Sequence, residues 1–154
     1  MKVYAQMKGN IFVGYPCIGK TSIAGQDNII DLDSSTFKDS MGIRYASWVE
    51  VYVNIACSLV KQGYKVFLSS HFLVTEELKR RNLPFTIFCP SLDKHQAWID
   101  RATKRYEQSK SEKDLMALKR IKDYFEEDIK ALTEMDGPSK VIIHSDVYNL
   151  KDFI

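Results

Sequence analysis

The sequence predicts an α/β domain whose strands run parallel, and three observations carry that prediction. Five short runs of apolar, β-branched and aromatic residues are nearly continuous rather than alternating, as expected of strands covered on both faces. Helical periodicities separate most of those runs, and strand–helix alternation implies a parallel sheet with right-handed crossovers. A glycine-bounded turn closes the first run, at the carboxyl end of a strand, where such sheets bind ligands.

The first run is "NIFVGY" (10–15). The second, "NIIDLD" (28–33), follows after only "KTSIAGQD". That link is shorter than the roughly dozen residues usual in a parallel crossover, so its helix spans about two turns. From Tyr45 to Gln62, apolar residues at Trp48, Val49, Tyr52, Ile55, Ala56 and Leu59 mark a helix stopped by Gly63. The third run is "YKVFLSS" (64–70). "TEELKRRN" (75–82) is a short helix closed by Pro84, before the fourth run "LPFTIFCP" (83–90). Trp98, Ala102 and Tyr106, four apart, place a helix over 91–108. The longest helix, 111–135, buries a stripe of Leu115, Leu118, Ile121, Phe125, Ile129 and Leu132 and ends at Gly137-Pro138. "SKVIIHSD" (139–146) is the last strand.

The chain of 154 residues suits one domain over 1–154, with no repeat, linker or low-complexity segment. Apolar residues at 45% and charged ones at 27% support a packed core and argue against global disorder. A net charge of +2 is too mild to argue for nucleic acid or an anionic membrane as partner; nucleic acid stays open without support. "MKVYAQMKGN" lacks the apolar core of a signal peptide, and no stretch nears the ~20 apolar residues of a membrane span. The expectation is a cytoplasmic protein. Cys17, Cys57 and Cys89 lack C-x-x-C spacing and nearby histidines, which argues against a disulfide framework or a zinc site.

Residues 14–21, "GYPCIGKT", fit G-x-x-x-x-G-K-[ST] with a strand before and a helix after. Gly14 and Gly19 permit backbone angles that turn the amides of Tyr15, Pro16-Cys17, Ile18 and their neighbours into an anion nest (proline itself supplying no N–H). The following helix, through Ser22, adds its positive end. Lys20 reaches outer phosphates and the Thr21 hydroxyl completes a Mg²⁺ shell. The expected cofactors are ATP and Mg²⁺. Cys17 reads as a small filler of a tight loop, or as a thiol activated by the helix end.

Asp31 and Asp33 lie two apart at a strand end and therefore share a face near the loop. One holds Mg²⁺ through water, Asp31 being the metal candidate; the other accepts a proton or holds an acceptor. The competing reading is turn and cap chemistry, since Asp-Ser-Ser also suits a turn. The third run ends in Ser69, Ser70 and His71, with no acidic residue there. His71 touches substrate or caps a helix. On helix 91–108, Arg101 and Arg105 share a face one turn apart, with Lys104 near them, and "EQSKSEKD" follows as the tip of a lid over about 100–115. The competing reading is a solvated cationic face. Lys38 and Arg44 lie in an acceptor region over about 34–60, with Arg44 suited to gripping a monophosphate. Arg80 and Arg81 read as surface.

The order of "GYPCIGKT", "DLDSS", "VFLSSH" and "WIDRATKRY" resembles the nucleoside-monophosphate kinase branch of P-loop proteins, with shikimate and gluconate kinases as relatives and small phage-type deoxynucleoside monophosphate kinases as the nearest likeness. The resemblance implies a three-layer P-loop NTPase fold: a five-stranded parallel sheet, helices on both faces, a mobile acceptor region and a helical lid. It implies acceptor contact by Asp33, lid arginines at Arg101 and Arg105, adenine packing near Asp146 and Tyr148, and, for a phage-encoded chain, the host cytoplasm. The acidic residue that adenylate kinases carry at the third strand is absent.

The expected activity is transfer of the ATP γ-phosphate to a deoxynucleoside monophosphate, with Lys20, Asp33, Arg101 and Arg105 as the catalytic set and Asp33, Lys38, Arg44 and His71 at the acceptor. The alternatives are a kinase of a hydroxyl acceptor, either a metabolite or a hydroxymethylated base in DNA, and a non-catalytic nucleotide-binding module. A small-molecule nucleotide is the expected partner, and a homodimer is left open.

Overall fold

The computed structural model describes residues 9–154. The N-terminal stretch 1–8, read above as lacking a signal-peptide core, lies outside the described residues. Five strands form one all-parallel sheet: β1 (Ile11–Gly14), β2 (Ile29–Asp31), β3 (Lys65–Ser69), β4 (Thr86–Pro90) and β5 (Ser139–Ile143). Their spatial order is β2-β3-β1-β4-β5. The link leaving β1 runs to one side of the sheet and the link leaving β4 runs to the other. The link leaving β3, to β4, also runs that second way, so the direction reverses on both sides of β1, and its carboxyl end is the topological switch point where open parallel sheets bind ligands. Gly14 stands level with Ser69 of β3 and Phe88 of β4, so three strand ends line one rim.

Every residue of β1 is buried, as are Val66–Leu68 and Ile87–Cys89, which explains why these runs read as continuously apolar. Phe12, Phe67 and Phe88 form an aromatic cluster across the three central strands, with centroids 5.0–5.7 Å apart.

The helices are α1 (Lys20–Ile23), α2 (Trp48–Lys61), α3 (Phe72–Arg80), α4 (His95–Ser109) and α5 (Glu112–Thr133). Four differences from the sequence reading have physical causes. Helix α1 is one turn, not two, because Gly25 (φ 83), Asp27 (φ 48) and Asn28 (φ 61) take left-handed angles that turn the chain at once into β2. Helix α2 starts at Trp48 and buries Val53 and Val60, leaving Ile55 at the surface; the inward row is 48-52-56-60. Helix α3 starts three residues early because the His71 ring nitrogen caps it, accepting from the Leu73 amide at 3.1 Å. Between α4 and α5 only Lys110 and Ser111 are non-helical, so the expected lid tip is a tight helix–helix turn. Lys110 takes φ 54 and Ser111 caps α5 by accepting from the Asp114 amide.

Helix α2 packs on β3 and α3, while α4 and α5 pack along each other and α5 lies against β4. Arg81, expected at the surface, instead joins α3 to α2: it donates to Glu77, to the Asn54 side chain at 2.8 Å and to the Glu50 carbonyl. Arg80 is the exposed one. Among the described residues no helix is long and apolar enough to cross a membrane.

Candidate active site

The turn after β1 is shaped by two left-handed residues, Cys17 (φ 66) and Gly19 (φ 109). Cys17 adopts an angle that side chains resist, so the surrounding contacts must hold it there. Three consecutive loop carbonyls are each taken from outside. The Trp98 indole N–H donates to Pro16 at 3.0 Å, Arg101 donates to Cys17 at 3.1 Å, and the Tyr148 hydroxyl donates to Ile18 at 2.7 Å. Two amides expected in the nest are already used: Ile18 donates to the Tyr15 carbonyl at 3.2 Å and Tyr15 to the Phe88 carbonyl at 3.0 Å, so an anion would be met by the amides that follow them. Because α1 is one turn long, its dipole adds little at this end of the turn.

The two loop glycines do different things. Gly19 supplies the backbone angle. Gly14 supplies space: a Cβ there would lie 2.8 Å from Cδ of Lys20 and 3.0 Å from Ile18 Cγ2. The Lys20 stem therefore lies over the end of β1, with Nζ 3.3 Å from the Gly14 carbonyl. Burial pushes the Lys20 pKa below that of an ordinary lysine, with Asp31 pulling the other way and Lys113 adding to the fall. A polyanion at the loop would reverse that shift.

Around Lys20 lies a cavity of about 150 Å³ over the carboxyl ends of β1, β2 and β3. Thr21, Asp31, Asp33 and Arg105 line it, whereas Lys38, Arg44, His71 and Arg101 of the expected set do not. The Thr21 hydroxyl lies 3.3 Å from an Arg105 nitrogen and 3.5 Å from an Asp31 oxygen. One hydroxyl beside one carboxylate fits a Mg²⁺ ion held otherwise by phosphate oxygens and water. No cluster of three His, Cys, Asp or Glu stands among the described residues, so a dedicated all-protein metal cage is not built here.

Asp33 takes the turn-and-cap role given as its competing reading, and forms an ion pair besides. One carboxylate oxygen caps the 3-10 turn Ser34–Phe37 through the Ser35 amide at 2.8 Å; the other accepts from Lys113 at 2.6 Å. Burial alone would raise its pKa, but Lys113 and Ser35 together bring it below the usual carboxylate range. Arg105 is likewise paired, with Asp114 at 3.2 Å. Lys20, Arg105 and Lys113 thus face Asp31, Asp33 and Asp114 in a small, self-neutralised site.

Arg101 stands apart from this cavity. Its terminal nitrogens bind the Cys17 and Asp146 carbonyls and the Tyr148 hydroxyl, and its guanidinium stacks on Trp98, 4.2 Å from the ring centroid. It supports the loop from behind. Tyr148 is at the back of the loop as well. Burial raises the Cys17 thiol against the pull of Arg105, which corrects the activated-thiol reading in favour of a loop filler.

Of the residues expected at an acceptor, Arg44 lies over the Trp48 ring at 4.5 Å and contacts Ser34 through two bonds of 3.4 Å. Lys38 pairs with Arg44 through an isolated antiparallel bridge, beside a separate shallow depression rather than in the main cavity. His71 caps α3, packs edge-on to Trp48 and lines a second cavity; burial lowers its pKa, helped by Arg44 and Arg120. The buried Tyr52 hydroxyl braces the rim by donating to the Leu32 carbonyl and accepting from the Ser69 amide at 2.9 Å.

Sequence reasoning missed Lys113, Trp98 and Tyr52 as site residues. Tyr52 and Trp98 each end in a polar atom on an otherwise apolar helix stripe, which is a signal that a buried ring reaches a partner. Lys113 carried no such signal. Compared with known protein families, with curated proteins and with solved structures, the chain matches none.

Proposed function

We propose that the chain is an ATP-dependent phosphotransferase of P-loop type whose acceptor is a (deoxy)nucleoside monophosphate. The observation that carries this reading is the phosphate-loop sequence in its strand–turn–helix setting, with Lys20, Thr21, Arg105, Asp31 and Asp33 gathered on one cavity at the sheet's switch point.

The loop amides and Lys20 hold the donor's outer phosphates. Bound Mg²⁺ supplies charge neutralisation on those phosphates, and Thr21 with Asp31 are the residues suited to hold it. Arg105 stabilises the charge on the moving group. Asp33 holds the acceptor, exchanging Lys113 for a substrate hydrogen bond. A monophosphate oxygen is already anionic and needs no strong base, so this acceptor asks no proton transfer of Asp33. The missing carboxylate at the end of β3 argues against a motor or switch module.

Coupled assays of ADP release with ATP and a panel of monophosphates test this. Rapid release with one or two of them is expected. Transfer only to a hydroxyl compound or to DNA would replace the acceptor assignment, and ATP binding without transfer to any acceptor would overturn the enzyme reading.

A further inference from the structure

Behind the phosphate loop lies a second cavity, of about 490 Å³, between the start of α3 and the carboxyl half of α5. Its volume falls in the range of small-ligand sites. It shares Pro16 and Ser69 with the first cavity, so the two are neighbours across these residues.

Tyr15 lines this cavity and is only 1% exposed, yet its hydroxyl has no hydrogen-bond partner among the described residues. Buried hydroxyls are nearly always satisfied, and an orphan marks a place where a partner is missing. The charged groups acting on that hydroxyl are Asp128 and Arg120. These two also line the cavity and form a two-pronged ion pair, at 2.7 and 2.8 Å, that cancels their charge. His71, on the opposite wall, is disfavoured as a cation by burial. A phosphate entering here finds no uncompensated cation, whereas a neutral polar ring brings no charge to desolvate. The remaining walls are apolar, with Leu132 and Met135 on α5. Phe72 also lines the cavity and is 68% exposed, so an aromatic side chain is open to a flat ligand there.

We propose that this cavity receives the heterocyclic ring of the acceptor nucleotide, and that the Tyr15 hydroxyl with the Arg120–Asp128 pair reads its hydrogen-bonding edge. The inference rests on the monophosphate-kinase reading and deepens it by naming what selects the base. The phosphate lies toward Lys20 and Arg105, the sugar passes Ser69, and the ring occupies the space against Phe72. A site built to pair a polar edge rejects rings that leave its groups unpaired, so these side chains set specificity more than rate.

Calorimetric titration of the four common deoxynucleoside 5′-monophosphates and of magnesium-ATP tests this, on the wild type, Tyr15→Phe and Asp128→Asn, each with its unfolding temperature. The wild type is expected to rank the monophosphates. Tyr15→Phe should weaken the preferred one about five- to fiftyfold, more than it weakens magnesium-ATP, and should compress the ranking. Its unfolding temperature should stay equal or rise, because the lost hydroxyl bonds nothing in the free protein; a purely structural tyrosine would not give that combination. Asp128→Asn, which swaps an acceptor for a donor, should reorder the ranking. Monophosphates bound with unchanged affinities and order in both variants would overturn the base pocket and leave the kinase reading standing. A wild type that neither binds nor phosphorylates any monophosphate would overturn both.

Discussion

The two sides of the cavity are built differently. On the donor side, three successive loop carbonyls are fixed by Trp98, Arg101 and Tyr148, from elements 80 or more residues away in sequence. On the acceptor side, Asp33 is held by a half-exposed lysine, and the segment after it carries exposed Met41, Ile43 and Tyr45. A loop whose backbone is fixed from outside binds phosphate without reorganising, which lowers the cost of binding. A site closed by an exchangeable ion pair must open before its ligand enters, and surface pairs of that kind hold by only about 1 kcal/mol or less. The loop side is thus held in place from outside, and the Asp33 side is closed by an ion pair that can open.

The largest expected effect breaks the donor side outright. Lys20→Ala should lower kcat/KM by roughly a thousandfold or more, as expected where a charge on the transferring phosphates is lost, with far-ultraviolet circular dichroism unchanged. Turnover near wild type would remove Lys20 from the chemistry. Next in size is the loop's outer support. Tyr148→Phe removes the donor to Ile18 and one partner of Arg101, and should weaken magnesium-ATP binding about three- to tenfold, with the acceptor KM nearly unmoved. An acceptor KM that moved equally would mean the two sides are not independent.

Lys113→Met addresses the gate. Without the ammonium, Asp33 no longer has to be freed, and the acceptor KM should fall by about two- to fivefold, with ATP affinity retained. A rise in KM would instead place Lys113 on the bound acceptor.

The loop side of the cavity was far more legible in the sequence than the Asp33 side, because its decisive features are local. Glycines five apart, a lysine and a hydroxyl residue follow directly from the end of a strand, and the two residues that position them, Gly14 and Gly19, are next to what they position. The Lys113–Asp33 pair joins residues 80 apart and the Tyr148–Ile18 bond spans 130, and no periodicity reports such contacts. The five strands were legible because continuous burial leaves continuous apolarity. The helix starts were less so: a histidine cap before Phe72 and a left-handed Lys110 between α4 and α5 are both choices that local preference disfavours.

The smallest effect sharpens the comparison from the outside of the acceptor half, where Glu77 and Arg81 fasten α3 to α2. Hydrogen bonds from Arg80 and then Arg81 bring the Glu77 carboxyl down from 4.5 to about 2, against the opposing pull of burial. A depressed carboxylate gives stability that is complete above its unfolded value and lost as pH falls through the folded one, so the window runs from about 4.5 down to about 2. Because Arg80 is largely exposed, solvent screening reduces the contribution to about 1–2 kcal/mol. Glu77→Gln should cost that amount in urea unfolding at pH 7 and should flatten the acid limb between those pH values, with magnesium-ATP affinity untouched. If the variant lost ATP binding in step with stability, the two halves would unfold as one unit and the donor loop could not be called preformed independently of its neighbour.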